Sequence, residues 1–500
     1  MKNLRRFALL SMGFFAVVGC SAASSGTKGG VAAPPEGGGT GSATTTGGGT
    51  GPVPPLAPAS GGTGTAPGAG VPATGETEIG TGTSDGTLGT GAGGSASGPI
   101  TTGAGGAGPG SAGASGAAGA VVTTPPPNAN GPSGLLTAGT WDDNLNFDFY
   151  TKYLTTMNAS ELPGLPLIDR TSRLEITAVD GTGAPLAGAT ISVSDASGKL
   201  FEATTRGDGK LFVFPVVVGA QPGAALTVGA SFGQGTGTAA AHVGDAAVKV
   251  TVAGATAAPV AALDLALVID TTGSMGDELE YLKNEIGDII ARVKSDYPGV
   301  SQRWAAVFYR DTVDEYVVRA FDFTTDLATL ESELSAQSAA GGGDIPEAPD
   351  QALAKLPTLS WRPDAVARMA FWVADAPHHA KDAQVMVQDF VAAHAKGIRF
   401  YPIAASGTDD LLEYTMRTAA EVTGGRYLFL TNDSGIGNSH KEPSIPCYVV
   451  TTLDKAMKRM IDMELTGTDS PPAPADIIRT SGNPTGTTCT TSGGDVVTIL

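Results

Sequence analysis

Cysteine is scarce in this chain, three residues in 500, which excludes a disulfide scaffold of the small secreted kind. Basic residues are also few: 30 Lys and Arg against 49 Asp and Glu leave a formal charge of -19. That balance argues against a nucleic-acid partner and for a surface that attracts cations. Charge of either sign nearly vanishes between 21 and 132, where only Lys28, Glu36, Glu76, Glu78 and Asp85 interrupt Gly, Ser, Thr, Ala and Pro. Without apolar periodicity that stretch buries no core, so its ordering entropy goes uncompensated and 21–134 reads as a disordered linker. As a coil of about 110 residues it spans on the order of 60 Å. A glycosylated Ser/Thr stalk is the alternative reading. The acidity therefore belongs to the part that folds.

At the start, Lys2, Arg5 and Arg6 precede an apolar run over 7–18, the layout of a secretory signal and too short for a comfortable membrane span. Its end, Val17-Val18-Gly19-Cys20, resembles the bacterial lipoprotein signal motif. The resemblance implies that Cys20 is lipidated, becomes the mature amino terminus and anchors the chain to a membrane; Ser21 after it implies sorting to the outer membrane or cell surface. An ordinary signal peptide with an incidental cysteine is the alternative. Export supplies an oxidising compartment, in which Cys447 and Cys489 are expected to form a disulfide. The loop of about 40 residues so closed corresponds to roughly 4 kcal/mol of chain entropy, before strain. It would pin the tail 467–500 to the domain before it.

Order is expected from about 135. Residues 135–171 form an N-terminal packing segment in which Phe147, Phe149, Tyr150, Tyr153 and Leu154 supply one face of a short helix. From 172 to 256, six short alternating runs separated by Gly, Asp and Pro predict an antiparallel β-sandwich. The phrase VDGTGAPLAGATISVSDASGKLFEATTRGDGKLFV resembles carboxypeptidase regulatory-like and related immunoglobulin-like modules of bacterial surface proteins, which implies a spacer or binding role. Within it, Arg206-Gly207-Asp208 reads as turn chemistry between two strands rather than as an adhesion tripeptide. Over 257–466 strands alternate with helices, the pattern of a doubly wound α/β domain with a mostly parallel six-strand sheet. The runs AAVFYRD and VVRAFDF are joined too closely for a crossover, so one of the two strands must run antiparallel.

The chemistry centres on 261–276, AALDLALVIDTTGSMG, an apolar strand ending in Asp270, then hydroxyls and glycine, then an amphipathic helix. The carboxylate of Asp270 and the hydroxyls of Thr272 and Ser274 alternate along the loop and can converge as three oxygen donors. Such donors suit a hard divalent cation: Mg2+ first, with Mn2+ and Ca2+ as alternatives. The competing reading is helix capping by Thr271, Thr272 or Ser274. Asp-x-Thr-x-Ser closing the first strand of such a domain resembles the von Willebrand factor type A domain and its metal-ion-dependent adhesion site. The resemblance implies that Asp270, Thr272 and Ser274 are metal ligands and that Asp375, in FWVADAPHH, is a further one. Where the family usually supplies a threonine, this chain has AGGGDIPE, which resembles a subgroup with an acidic residue in that loop, so the resemblance assigns the slot to Asp344. No Gly-Lys-Ser/Thr comes after the glycines, which excludes a Walker phosphate loop. His378 and His379 lack zinc-type partners and read as loop residues beside the site. Met457, Met460 and Met463 read as core filler.

The expected function is therefore a non-catalytic, lipid-anchored binding or adhesion protein of the bacterial cell envelope. Its cation would be completed by an exposed carboxylate of a protein ligand. A scaffolding or recruiting subunit of an envelope assembly is the second reading, and a metal-dependent hydrolase the third.

Overall fold

The computed structural model describes residues 134–343, 345–363 and 367–499. The signal segment with Cys20, the linker as far as 133, and Asp344 lie outside the described residues. Among the described residues no helix is long and apolar enough to cross a membrane.

The chain enters through β1 (Thr137–Trp141) and α1 (Phe147–Ala159). Tyr150, Tyr153, Leu154 and Met157 are buried on one side of α1, the helical spacing anticipated from sequence. Seven strands come next: β2 (Leu174–Val179), β3 (Thr190–Asp195), β4 (Gly198–Thr204), β5 (Lys210–Val213), β6 (Ala225–Phe232), β7 (Gly235–His242) and β8 (Ala247–Thr251). They form two sheets, ordered β5-β2-β8 and β4-β3-β6-β7, over a core containing Ile176, Val193, Val228 and Val250. Two features depart from the sequence expectation. The alternation does not mark β7, GTGTAAAH, because its side chains are too small to show a buried face and it lies at a sheet edge. Nor is the sandwich wholly antiparallel: β8 lies parallel to β2, since the chain crosses from one sheet to the other and enters from the same end.

The α/β domain comprises β9 (Ala262–Asp270), α2 (Leu279–Asp296), β10 (Ser301–Tyr309), β11 (Val318–Thr324), α3 (Leu327–Ser335), α4 (Pro349–Lys355), β12 (Ala367–Ala374), α5 (Ala383–Ala395), β13 (Arg399–Ala404), α6 (Asp410–Thr423), β14 (Tyr427–Leu430), β15 (Tyr448–Thr452) and α7 (Leu453–Thr466). The tail adds β16 (Arg479–Ser481), β17 (Pro484–Thr485), β18 (Thr488–Thr490) and β19 (Val496–Thr498). Strands β9 and β12 are buried along nearly their whole length, as strands covered by helices on both faces must be. One face packs α2, α3 and α7 through Ile286, Ile290, Leu334 and the three methionines Met457, Met460 and Met463. The other packs α4, α5 and α6 through Leu353, Phe390 and Met416.

The main sheet has nine strands rather than six, in the order β11-β10-β9-β12-β13-β14-β1-β15-β16. The six expected strands are there, with β11 antiparallel to β10. Of the three extra strands, β15 lies within the α/β domain just before α7, while β1 and β16 come from the segments before and after it. β1 inserts between β14 and β15, antiparallel to both, so the segment 135–171 is built into the α/β domain. β16 extends the far edge, while β17, β18 and β19 form a separate small sheet. A disulfide between Cys447 and Cys489 ties that small sheet to the start of β15.

The tripeptide Arg206-Gly207-Asp208 is a turn, as read from sequence, but it joins strands of different sheets rather than a hairpin. Arg206 pairs with Asp208 at 2.7 Å and donates to the Gly424 carbonyl at 2.9 Å. A Cβ at Gly207 would stand 2.5 Å from the Glu464 carbonyl oxygen, so only glycine lets the turn approach the end of α7 this closely. Turned inward, it is unavailable for recognition.

The same interface buries His394, which makes a 2.6 Å hydrogen bond to the Phe212 carbonyl and stacks on Phe201 with ring centroids 5.0 Å apart. Burial pushes the imidazole down from 6.5 to about 4, so the unfolded chain takes up the proton first. The stability contributed by neutral His394 is thus fully present above pH 6.5 and lost as pH falls toward 4, by roughly 3 kcal/mol over the window. Urea midpoints of the wild type and His394→Gln, compared between pH 7.5 and 4.5, should converge on acidification. A constant difference between the two curves would refute this.

Candidate metal centre

The strand order reverses between β9 and β12, and ligands of open α/β sheets bind at the carboxyl edge beside such a switch point. Ile269 lies opposite Val373 in the parallel ladder, which brings Asp270 and the Asp375 just past β12 to the same edge. Both are buried, at 0% and 4% exposure. Asp270 Oδ1 accepts from the Thr272 amide at 2.9 Å and from its hydroxyl at 2.7 Å, and Thr272 Oγ1 lies 3.2 Å from Ser274 Oγ. The alternating donors of the loop therefore do converge. Capping does not account for them: Thr272 stands at the N-cap of the turn 273–277 without a side-chain capping bond. It points at Asp270 instead.

A second loop closes over the first. Ala340 N–H donates to the Thr271 carbonyl at 3.1 Å and Gly273 N–H to the Gly341 carbonyl at 3.2 Å. The segment 340–343 is thereby stitched beside 270–274. Farther along, the Glu347 amide donates to the Pro377 carbonyl at 2.9 Å. Glu278, fully buried behind the site, accepts from the Ser406 amide at 3.1 Å and meets His440 Nε2 at 2.7 Å, fixing the start of α2.

The electrostatics are those of an acidic site lacking a cationic partner. Burial raises the pKa of Asp270 above the carboxylate range, against hydrogen bonds from Thr272 that lower it. Burial also raises Asp375, with the charge of Asp270 adding to it. Asp270 Oδ2 and Asp375 Oδ1 are buried without a hydrogen-bond partner. Unpartnered buried carboxylate oxygens cost free energy, and a cation between them would remove that cost. The residues therefore fit a hard divalent ion: Asp270, Thr272, Ser274 and Asp375 would hold it, all through oxygen. Among the described residues no three His, Cys, Asp or Glu side chains are placed to hold an ion by themselves.

Three acidic residues at this edge escaped the sequence reading of the site. Glu347, at 2% exposure, is pushed up to about 9 by burial and then by Asp270, Asp311, Asp314 and Asp375. Asp311 pairs with His379 Nε2 at 2.7 Å, and Asp314 accepts from the Gly342 amide at 2.8 Å. The signal for the two aspartates was the RDTVDE run directly after the β10 sequence, at the same end of the sheet as Asp270. His378, expected beside the site, does bridge Glu347 through its backbone, while its ring is buried and lies 3.0 Å from the Gly164 carbonyl.

Residues 264–423 match the von Willebrand factor A domain family. Among curated proteins the chain is 33% identical over 121 residues to a putative ariadne-like RING finger protein of Acanthamoeba polyphaga mimivirus, covering 24% of this chain and 12% of that one. It is 26% identical over 151 residues to the alpha-protein kinase vwkA of Dictyostelium discoideum, covering 30% and 23%. The chain thus spans less than a quarter of the length of either relative. Solved structures similar to it include the conserved hypothetical protein BatB of Bacteroides thetaiotaomicron, at 16% identity and a TM-score of 0.30, covering 40% of this chain and 98% of that one. Another is an aerotolerance-related membrane protein of Bacteroides fragilis, at 13% and 0.29, covering 41% and 100%. With its parallel sheet, its switch point and the Asp-x-Thr-x-Ser loop at that edge, the chain carries over residues 264–423 a domain that matches the von Willebrand factor A domain family.

Proposed function

We propose that this protein is a non-catalytic binding protein of the bacterial cell envelope, anchored by a lipid on Cys20 and carried on its linker. In this reading its von Willebrand factor A domain captures a protein ligand through a divalent cation, Mg2+ first. Asp270, Thr272, Ser274 and Asp375 hold the ion, with Asp344 as the acidic residue of the loop beside it. A bound divalent ion supplies a coordination position for a carboxylate oxygen of the ligand. The chain's own part is to place hydroxyls and carboxylates at one sheet edge and hold them there through the stitched loops. The observation that carries the reading is the pair of buried carboxylates, Asp270 and Asp375, each with an oxygen that nothing in the described residues satisfies.

The test is capture from envelope fractions by the wild-type chain and Asp270→Ala, with and without EDTA. A specific partner should be retained only by the wild type and released by the chelator. Retention that ignores both EDTA and the substitution would overturn the mechanism.

A further inference from the structure

Glu347 sits at the candidate metal centre with no partner that explains it, and any role it has there rests on the cation reading of that centre. It stands just ahead of α4, in a loop whose amide and carbonyl groups are tied to both neighbouring loops. Its side chain is almost wholly buried, and Oε2 has no hydrogen-bond partner. The charges that act on it are the carboxylates of Asp270, Asp311, Asp314 and Asp375. Of the nearby bases, Arg310 donates to the Thr271 and Ser338 carbonyls, His379 pairs with Asp311, and His378, whose backbone bridges Glu347, bonds the Gly164 carbonyl through Nε2 while its Nδ1 stays without a hydrogen-bond partner. Among the described residues it is a buried carboxylate surrounded by carboxylates, with one oxygen that no hydrogen bond satisfies.

Gly342 defines the space between this carboxylate and the first loop. With φ at +74°, it adopts a conformation that favours glycine, and a Cβ there would stand 2.9 Å from Glu347 Oε1 and 3.4 Å from Thr272 Cβ. Glu347 and Thr272 thus border one small cradle, left open because position 342 has no side chain. The described acidic side chains do not converge as three direct ligands, whereas Mg2+ ordinarily keeps several of its waters. Those waters are strong donors and need acceptors.

We propose that Glu347 is a positioning residue for the cation, accepting with its free oxygen from a water the ion retains in the cradle beside Thr272. The role is distinct from that of Asp344, which the resemblance assigns to the threonine slot. It makes Glu347 an outer partner of the ion, set opposite the Asp270 loop.

The experiment is Mn2+ titration of the full chain, monitored by the electron paramagnetic resonance signal of free Mn2+, together with thermal melting in chelator and in Mn2+. Loss of an outer partner typically weakens metal binding about 10- to 100-fold, so Glu347→Gln should bind Mn2+ that much more weakly than the wild type. In chelator the same variant should melt above the wild type, because one of the crowded carboxylates is gone; in Mn2+ the wild type should gain more. A residue that merely supports the fold would lower the melting temperature in both conditions, and that result overturns the proposal. Wild-type affinity in Glu347→Gln alongside lost binding in Asp270→Ala overturns the proposal and leaves the cation site standing. A wild-type chain that binds neither Mn2+, Mg2+ nor Ca2+ overturns both.

Discussion

Asp270→Ala is expected to weaken divalent-cation binding by more than about 100-fold, beyond what the loss of an outer partner costs, and to abolish capture of the protein ligand. Asp270 ends the central strand beside the switch point, and its Oδ2 is buried without a hydrogen-bond partner. The alanine variant also leaves the Thr272 amide and hydroxyl without their acceptor, a loss of about 1–3 kcal/mol on its own. Asp270→Asn separates the two effects, since it keeps an oxygen for Thr272 and removes only the charge. Both variants should fail to bind Mn2+ by calorimetry, while the asparagine variant keeps the wild-type melting temperature in chelator or exceeds it. Full Mn2+ affinity in Asp270→Asn would mean that the carboxylate has another purpose.

The second large effect is at Arg417. This residue of α6 is completely buried, and its guanidinium meets Asp143 at 2.7 and 3.0 Å and Glu413 at 3.2 Å while covering the Tyr153 ring at 3.9 Å. Burial disfavours the Arg417 charge, yet Asp143, Tyr153 and Glu413 outweigh it and hold its pKa above the ordinary arginine range. Asp143 shows the opposite balance: burial raises it more than Arg417 lowers it. The pair is thus close to break-even as a whole, but removing one member strands the other. Arg417→Met should cost about 3–5 kcal/mol in urea unfolding, because Asp143 is left buried without a cation while Glu413 keeps Lys441. Combining it with Asp143→Leu should recover part of that loss. A cost under about 1 kcal/mol for Arg417→Met would show that water reaches the pair. Because Asp143 lies just past β1, the measurement also reports how firmly the N-terminal segment is built into the α/β domain.

The strands and helices between 262 and 466, β15 apart, were legible because each is a local pattern. Apolar runs of strand length alternate with amphipathic helices, and the close join of β10 to β11 required an antiparallel pair. The oxygen donors of the first loop were legible for the same reason, since Asp270, Thr272 and Ser274 lie within five residues of one another. The small strands were not legible. β7 is built of Gly, Thr and Ala with no apolar contrast, and β1 is a five-residue strand whose partners lie nearly 300 positions away. A pairing of that range leaves no periodic trace.

Glu347 illustrates the remaining gap. It stands in the phrase GGGDIPE, in which resemblance alone points to Asp344, and no spacing rule relates it to Asp270. Only the folded loops, joined at Thr271 with Ala340 and at Gly273 with Gly341, bring its carboxylate to the site. The turn at 206–208 is similar: its conformation was readable from Gly and Asp, but its burial against α7 was not. The sequence by itself determined the fold class, the first-loop oxygen donors and the acidity of the chain, since these depend on local pattern and composition. The nine-strand sheet, the docking of the sandwich and the crowding of Glu347 among carboxylates were decided by tertiary structure alone, because each depends on which distant surfaces meet.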